Sequence, residues 1–362
     1  MKAVIFAGGV GTRLWPLSRK KNPKQFGKIV NELTMLQIAV NKLHPDFTWN
    51  DIFISTGEQY KEVVRKQLPK LPKDNIIVEP AMKDVGPAVG LVTALFMKLN
   101  QTEPFLLLWG SDHLVKNENV FRRAIREAGK MIKNDPNKII FIGQQPRFAN
   151  QNLGYIEFGQ RIKKVREIPV YQFKAFQYRP HLSTAEKFFK SGRHTWNLGY
   201  FVTTPQFLWN LFETFAPVLF NKLKQINVSY KTRNYEKVLN KIYPTIDKIS
   251  FDEAILEKMN PKNGYVLSVD IGWSDIGAWE ALKEALQTKP EDNVIQGNVM
   301  LRESVDNLVY NHENKKLIVG IDLKGYLVVN TKDVLLITKK ESVPKIKKLV
   351  ESFEGTEHEK LT

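Results

Sequence analysis

Three glycines in four positions, Gly8, Gly9 and Gly11, follow the apolar run 3–7. A backbone this unencumbered can approach a ligand closely and turn successive N–H groups toward an anion. Arg13, Arg19, Lys21 and Lys24 follow in the same stretch, so the chemistry it suggests is the holding of a polyanion. Two common phosphate loops are disfavoured. A P-loop needs Gly, four residues and then Gly-Lys-Ser/Thr, and the dinucleotide fingerprint needs a third glycine where Leu14 stands. A plain glycine turn carrying surface arginine stays open on composition alone.

Carboxylates recur at places suited to ligands. Asp112 follows the apolar run 105–109, at the carboxyl end of an expected strand, where open α/β sheets bind their ligands. Asp275 lies in a second such loop, between Gly272 and Gly277. Taken singly, each aspartate equally suits a turn or cap. Glu79, before Pro80, carries a base-specificity reading: guanine presents two adjacent donors, and a carboxylate accepts from both, whereas uracil or thymine suits a glutamine amide. The alternative for Glu79 is an ordinary surface ion pair. Cysteine is absent and the six histidines are scattered, which excludes disulfides, thiolate nucleophiles, zinc ribbons and iron–sulfur centres. A bound metal would be held by oxygen, which suits Mg²⁺ or Mn²⁺.

The elements that must position these residues alternate. Runs 3–7, 52–55, 76–78, 105–109 and 139–142 read as strands, and 36–43, 59–67, 87–99 and 120–133 as helices. Such alternation implies right-handed βαβ units and a mainly parallel sheet covered on both faces. From about residue 153, strand-like segments 154–158 and 200–203 interleave with helices starting at Ser183-Thr184 and at Thr204-Pro205. A polar stretch, 288–293, follows a helix over 279–286 and marks the main boundary. Beyond it, short Val/Leu/Ile segments with turns at Gly297, Gly320 and Gly325 predict a small β domain, closed by a helix over 343–353 and a frayed polar tail.

The chain has 362 residues, 43% hydrophobic and 25% charged, values of a globular protein whose length suggests two domains. Its net charge of +16 attracts polyanions, with most of the excess expected on a solvated surface and a minority at a phosphate site. The tryptophans Trp15, Trp196, Trp273 and Trp279 form no evenly spaced basic stacking stripe, so no nucleic-acid partner is expected. No apolar stretch approaches the roughly 20 residues that cross a bilayer. The first residues read as a strand, and a cytoplasmic protein without a membrane partner is expected.

The run Gly8-Gly9-Val10-Gly11-Thr12-Arg13-Leu14-Trp15-Pro16-Leu17-Ser18-Arg19, followed by Pro23-Lys24-Gln25-Phe26, resembles the signature of the mannose-1-phosphate guanylyltransferases, in the sugar-phosphate nucleotidyltransferase family. The resemblance continues in order through Val78-Glu79-Pro80-Ala81, Ser111-Asp112-His113, Gly154-Tyr155-Ile156, Trp196-Asn197-Leu198-Gly199-Tyr200-Phe201, Asp252-Glu253-Ala254 and Gly272-Trp273-Ser274-Asp275-Ile276-Gly277-Ala278-Trp279. It spans about residues 1–290. It implies attack of a sugar phosphate oxygen on the α-phosphorus of a nucleoside triphosphate, with pyrophosphate leaving. By resemblance Arg13 and Lys24 are catalytic, and Ala7, Gly8, Gly9, Gly11, Thr12, Glu79, Pro80, Gly86 and Asp112 bind the nucleotide. Asp112 and Asp275 hold Mg²⁺ or Mn²⁺, and Gly154, Tyr155, Tyr178, Arg179 and Asn197 bind the sugar phosphate. For Tyr155 and Trp196, simple core packing is an equal alternative.

Two departures bear on specificity. The family's Arg-Asn-Thr-Ala-Pro stands here as Lys83-Asp84-Val85-Gly86-Pro87, and its Glu-Lys-Pro aligns with Tyr178-Arg179-Pro180. Arg179 keeps a phosphate-binding charge, but Tyr178 cannot accept from two sugar hydroxyls as a carboxylate does. The expected architecture is a Rossmann-like α/β nucleotidyltransferase domain over 1–288, a small C-terminal β domain, resembling a left-handed β-helix, over 289–355, and a polar tail over 356–362. The expected reaction joins mannose 1-phosphate and GTP to give GDP-mannose and pyrophosphate. Another hexose 1-phosphate or nucleotide, or a catalytically silent sugar-nucleotide sensor, are the competing readings, and the small β domain is the expected place for a homodimer contact.

Overall fold

The structure, a computed structural model, describes residues 1–9, 11, 13–100 and 102–362. Its compact units do not follow the linear order of the chain. The first comprises Met1–Gly8, Ala39–Ser111 and Val115–Gly272; the second comprises Gly9–Ile38, Asp112–Leu114 and Trp273–Thr362. The expected division into 1–288, 289–355 and 356–362 runs along the sequence, whereas the fold lifts the segment carrying the glycine signature into the same unit as the C-terminal strands.

The strands of the first part of the chain are β1 (Lys2–Phe6), β2 (Ile52–Gly57), β3 (Ile76–Glu79), β4 (Phe105–Leu108), the two-residue β5 (Leu114–Val115), β6 (Ile139–Gln144), β7 (Tyr155–Val165), β8 (Ile168–Gln177), β9 (His194–Thr203) and β10 (Gly264–Val269). Among the described residues, nine of them form one sheet of order β3-β2-β1-β4-β9-β6-β10-β8-β7 in the first unit. Strands β1 to β4 pair in parallel, with Ala3 opposite Ile52 and Leu106, while β9 and β8 run against the others. The sheet is therefore mixed, with most strands pointing one way. Helices on both faces bury β4 completely, and so it reads Phe-Leu-Leu-Leu with no alternation.

The first unit's helices are α1 (Met35–Asn41, which begins in the second unit), α2 (Lys61–Gln67), α3 (Val85–Leu99), α4 (Glu118–Asn134), α5 (Leu182–Ser191), α6 (Pro205–Phe215), α7 (Pro217–Ser229), α8 (Tyr235–Ile242) and the single turn α9 (Phe251–Ala254). Helix α3 starts at Asp84, whose carboxylate accepts from Val85 N–H at 2.7 Å. Its residues 86–96 are buried, because α6, α7 and α9 pack against it in the main core. Helix α6 begins as its sequence dictates: the Thr204 hydroxyl accepts from Phe207 N–H at 3.2 Å, and Pro205 occupies the first helical position.

In the second unit β11 (Trp273–Ser274) precedes α10 (Trp279–Leu286), then β12 (Val294–Gln296), β13 (Val299–Arg302), β14 (Leu308–Asn311), β15 (Ile318–Ile321), β16 (Tyr326–Asn330), β17 (Leu335–Lys339) and α11 (Lys345–Glu351). Strands β12, β14 and β16 pair in parallel, β17 closes that sheet antiparallel, and β13 pairs with β15 in a second small sheet. Buried asparagines fasten successive turns. Asn330 Nδ2 donates to Asn311 Oδ1 at 2.9 Å, and Asn307 Nδ2 donates to Leu323 O at 2.8 Å. The Asn307 amide occupies a backbone carbonyl that its turn would otherwise leave unpaired, and the Asn330–Asn311 pair satisfies buried side-chain amides. Lys283 is buried with its ammonium saturated by Gln287 Oε1, Pro290 O and Asp306 at 2.6, 2.9 and 2.7 Å.

The second unit has its own core, in which Leu14, Trp15, Ile29 and Met35 join Ile276, Trp279, Leu308, Tyr310, Leu327 and Ile346. The C-terminal tail does not fray. It forms a 3-10 turn over Glu359–Leu361, and the Trp15 indole donates to Leu361 O at 2.8 Å. Among the described residues no helix is long and apolar enough to cross a membrane.

Candidate active site

The decisive question for the charge-neutralising set is whether Lys24, Asp112 and Asp275 meet, since they come from three separated stretches of chain. All three lie in the second unit. Lys24 sits in a 3-10 turn capped by Pro23, beside Gly11, with its methylenes 3.4 Å from where a Cβ on that glycine would stand. Its ammonium pairs with Asp112 Oδ2 at 2.5 Å and donates to the main-chain oxygens of Asp275 at 3.2 Å and Ile276 at 3.4 Å. Burial pushes the Asp112 carboxyl up, but the charges of Lys24 and His113 and the hydrogen bond from Lys24 outweigh it, and the group is held below the usual carboxylate range.

The loop bearing Asp275 is tightly wound: Gly277 N–H donates to Asp275 Oδ1 at 3.2 Å, and Ile276 has φ 41°. Gln25, buried beneath the glycine signature, donates to Gly9 O at 2.7 Å, while Gly9 and Arg13 are exposed. Thr12 lies outside the described residues.

The first unit holds the other nucleotide candidates. Ala7 N–H donates to Ser55 O at 2.7 Å, and its carbonyl accepts from the Thr56 hydroxyl at 2.9 Å, fixing the end of β1 where Gly8 begins. Glu79 ends β3, buried, with one oxygen accepting from Ser55 at 3.1 Å and the other from the Tyr243 phenol at 2.8 Å. Burial pushes its carboxyl above the usual range, against the pull of those two hydroxyls. A Cβ on Gly8 would lie 3.8 Å from Glu79 Oε1, so the carboxylate stands directly behind this glycine. Pro80 is half-buried, and Gly86 donates its N–H to Ile249 O at 3.0 Å.

The sugar candidates also gather in the first unit. Asn197 N–H donates to Gly154 O at 2.8 Å, and Asn197 Nδ2 donates to Asp252 Oδ1 at 3.2 Å. Tyr178 and Arg179 are exposed, the guanidinium 5.0 Å above the phenol ring, and Tyr178 feels the carboxylates of Asp252, Asp84 and Glu253. Tyr155 stands apart. It is fully buried, its hydroxyl accepts from Asn150 N–H at 2.9 Å, and its ring packs on Phe188, so its side chain is committed to the core.

The profile of the family described as "Nucleotidyl transferase" matches residues 2–292. The chain belongs to that family. Mannose-1-phosphate guanylyltransferase 2 of Escherichia coli O157:H7 is 32% identical over 356 residues, covering 96% of this chain and 72% of that protein. Mannose-1-phosphate guanylyltransferase of Escherichia coli K12 is 32% identical over 357 residues, covering 97% and 73%. A crystal structure described as mannose-1-phosphate geranyltransferase from Thermus thermophilus superposes with a TM-score of 0.87 at 24% identity, over 98% of this chain and 99% of that one; this likeness bears on the fold.

Two residues of this nucleotidyltransferase went without a role in the sequence reading. His113 meets the Trp273 indole N–H at Nδ1, at 3.1 Å, and its Nε2 lies 3.9 Å from Asp112 Oδ1. Adjacency to Asp112 was the available signal. Asp252 is only 4% exposed and its carboxyl is pushed up to about 7 by burial and by the carboxylates of Glu257, Asp84 and Glu253. No sequence pattern distinguishes it from the neighbouring Glu253, because its burial comes from packing.

Proposed function

We propose that this nucleotidyltransferase joins mannose 1-phosphate and GTP to give GDP-mannose and pyrophosphate. The carrying observation is the meeting of Lys24, Asp112 and the Asp275 loop at one ammonium. In the reaction a phosphate oxygen of the sugar phosphate forms a bond to the α-phosphorus, the α–β bridging bond breaks, and pyrophosphate leaves with the electron pair. Both reactants are anions, so the protein's task is to hold them together and neutralise charge on the leaving group and the equatorial oxygens. Lys24 would serve the phosphates in the transition state, Arg13 would clamp the pyrophosphate with its planar fork, and the amides of Gly8, Gly9 and Gly11 would cradle the nucleotide.

Enzymes of this class generally work with a divalent cation, and the donors here fit one. Asp112, held ionised, would supply one hard oxygen donor and Asp275 a second, and a hexacoordinate Mg²⁺ or Mn²⁺ commonly takes one or two carboxylates and completes its shell with water and phosphate. Bound there, it would supply charge for the triphosphate. Glu79 would read guanine, each oxygen retaining a lone pair beyond the hydroxyl it accepts. Gly154, Tyr178, Arg179 and Asn197 would receive the sugar phosphate, with Tyr155 contributing the wall behind them.

We further read the C-terminal coils as a short left-handed β-helix, the protein as cytoplasmic, and its edge strands as a homodimer contact. Pyrophosphate release measured for four nucleoside triphosphates crossed with several hexose 1-phosphates, in Mg²⁺, tests the reaction. GTP with mannose 1-phosphate is expected to be fastest; tight GDP-mannose binding without turnover would replace the enzyme with a sensor.

A further inference from the structure

The first unit buries a carboxyl that nothing so far employs. Asp252 opens the turn α9 behind Phe251, and among the described residues it has no cationic partner. Its protein hydrogen bonds are the donation from Asn197 Nδ2 and one from its own backbone. A carboxyl placed in the interior without a counter-ion is costly unless another group meets it.

The Asn197 amide is held in one orientation. Its Oδ1 accepts from Gly199 N–H at 3.0 Å, which forces the NH₂ toward Asp252. The backbone makes this possible: the β6–β9 register shifts between Phe141 and Gly143, and Gly199, at φ 68°, forms the bend on β9 that lets residue 199 reach back to residue 197. Beside it, Trp109 N–H donates to Gly199 O at 3.0 Å and the Trp109 ring packs edge-on against Phe251. The Trp109 indole Nε1 is buried without a hydrogen-bond partner among the described residues.

The chemistry of that ligand follows from the charges. Asp84, Glu253 and Glu257 surround Asp252 with negative charge, which repels a phosphate. A neutral polyol suits the place: its hydroxyls donate to a carboxylate and accept from an indole or amide N–H. We propose that Asp252, oriented against Asn197, reads a hydroxyl of the hexose ring and sets the sugar specificity of this enzyme, with the Trp109 indole as companion donor. Asp252 thereby provides the two-oxygen acceptor that Tyr178, a phenol with a single oxygen, cannot duplicate. This inference rests on the hexose 1-phosphate reading above.

The test compares wild type, Asp252→Asn and Trp109→Phe on mannose 1-phosphate and its monodeoxy analogues. Losing a hydrogen bond to a charged group corresponds to about tenfold to a hundredfold in affinity. Asp252→Asn is expected to raise KM for mannose 1-phosphate by that factor, leave KM for GTP unchanged, and abolish the penalty that wild type shows for one deoxy position. Trp109→Phe keeps the ring and removes only the donor, and is expected to reduce discrimination at a hydroxyl by several-fold; it carries the test if Asp252→Asn fails to fold. An unchanged deoxy profile in the folded variants overturns the inference while leaving the reaction intact. No pyrophosphate from wild type with any hexose 1-phosphate overturns the reaction, and this inference with it.

Discussion

Lys24 has three N–H donors, and in the structure all are spoken for, by Asp112, the Asp275 carbonyl and the Ile276 carbonyl. Phosphate oxygens compete for such an ammonium on favourable terms, because a phosphate carries a formal charge that a carbonyl lacks. On the proposed reaction this held ammonium would meet the transition-state charge, and in the structure it neutralises Asp112. Lys24→Ala is expected to lower kcat by on the order of a hundredfold or more, as removal of one fixed donor to a developing charge does, with a smaller change in KM for GTP. Steady-state kinetics decide the matter, and near-normal turnover would remove Lys24 from the chemistry.

At the scale of elements, β9 contributes more than its hydrogen bonds to the sheet. Between Asn197 and Phe201 it bulges against β6, and Gly199 occupies a conformation that side chains rarely adopt. A Cβ there would also approach the Trp109 ring to 2.6 Å. Gly199→Ala therefore combines left-handed strain with overpacking and is expected to destabilise the fold by about 2 to 4 kcal/mol, read from urea unfolding. Because Gly199 N–H orients the Asn197 amide, the same variant should raise KM for the sugar phosphate more than KM for GTP. Full stability and unchanged kinetics would show that β9 tolerates another path. The neighbouring α3 illustrates the other use of an element: its first turn packs on Ile249 through Gly86, giving this nucleotide candidate a packing role as well.

Across the whole molecule, the candidate residues are distributed over both compact units. The second gathers Lys24, Asp112 and Asp275; the first gathers Glu79, Asn197 and Asp252. Strand β17 ends the four-stranded sheet of the second unit as an edge and presents Leu335 and Ile337 to solvent, each more than half exposed. An uncovered apolar edge strand favours association with another copy of the same surface. Light scattering is expected to show a dimer, and Ile337→Asp is expected to shift it to monomer at the same concentration without altering kcat. A wild-type monomer throughout the micromolar range would dispose of the homodimer.

The sequence by itself determined the elements whose signals are local. The apolar runs of β1, β2 and β4 give themselves away because both faces of a parallel wing are buried, and α6 and α10 because a Thr-Pro cap or a short amphipathic repeat is written in adjacent residues. The glycine signature, Lys24, Asp112 and Asp275 were legible as motifs for the same reason. Of the long antiparallel hairpin of β7 and β8 only the start, 154–158, was legible, and the helices α7 and α8 were not, since their residues follow the packing around them more than any local pattern. Only the tertiary structure decided that the 9–38 segment joins the C-terminal strands, that the tail reaches Trp15, that Tyr155 belongs to the core, and that Asp252 is buried beside Asn197. Each of these depends on contacts between residues far apart in the chain, and burial and charge environment are properties of such contacts, not of the residue types themselves.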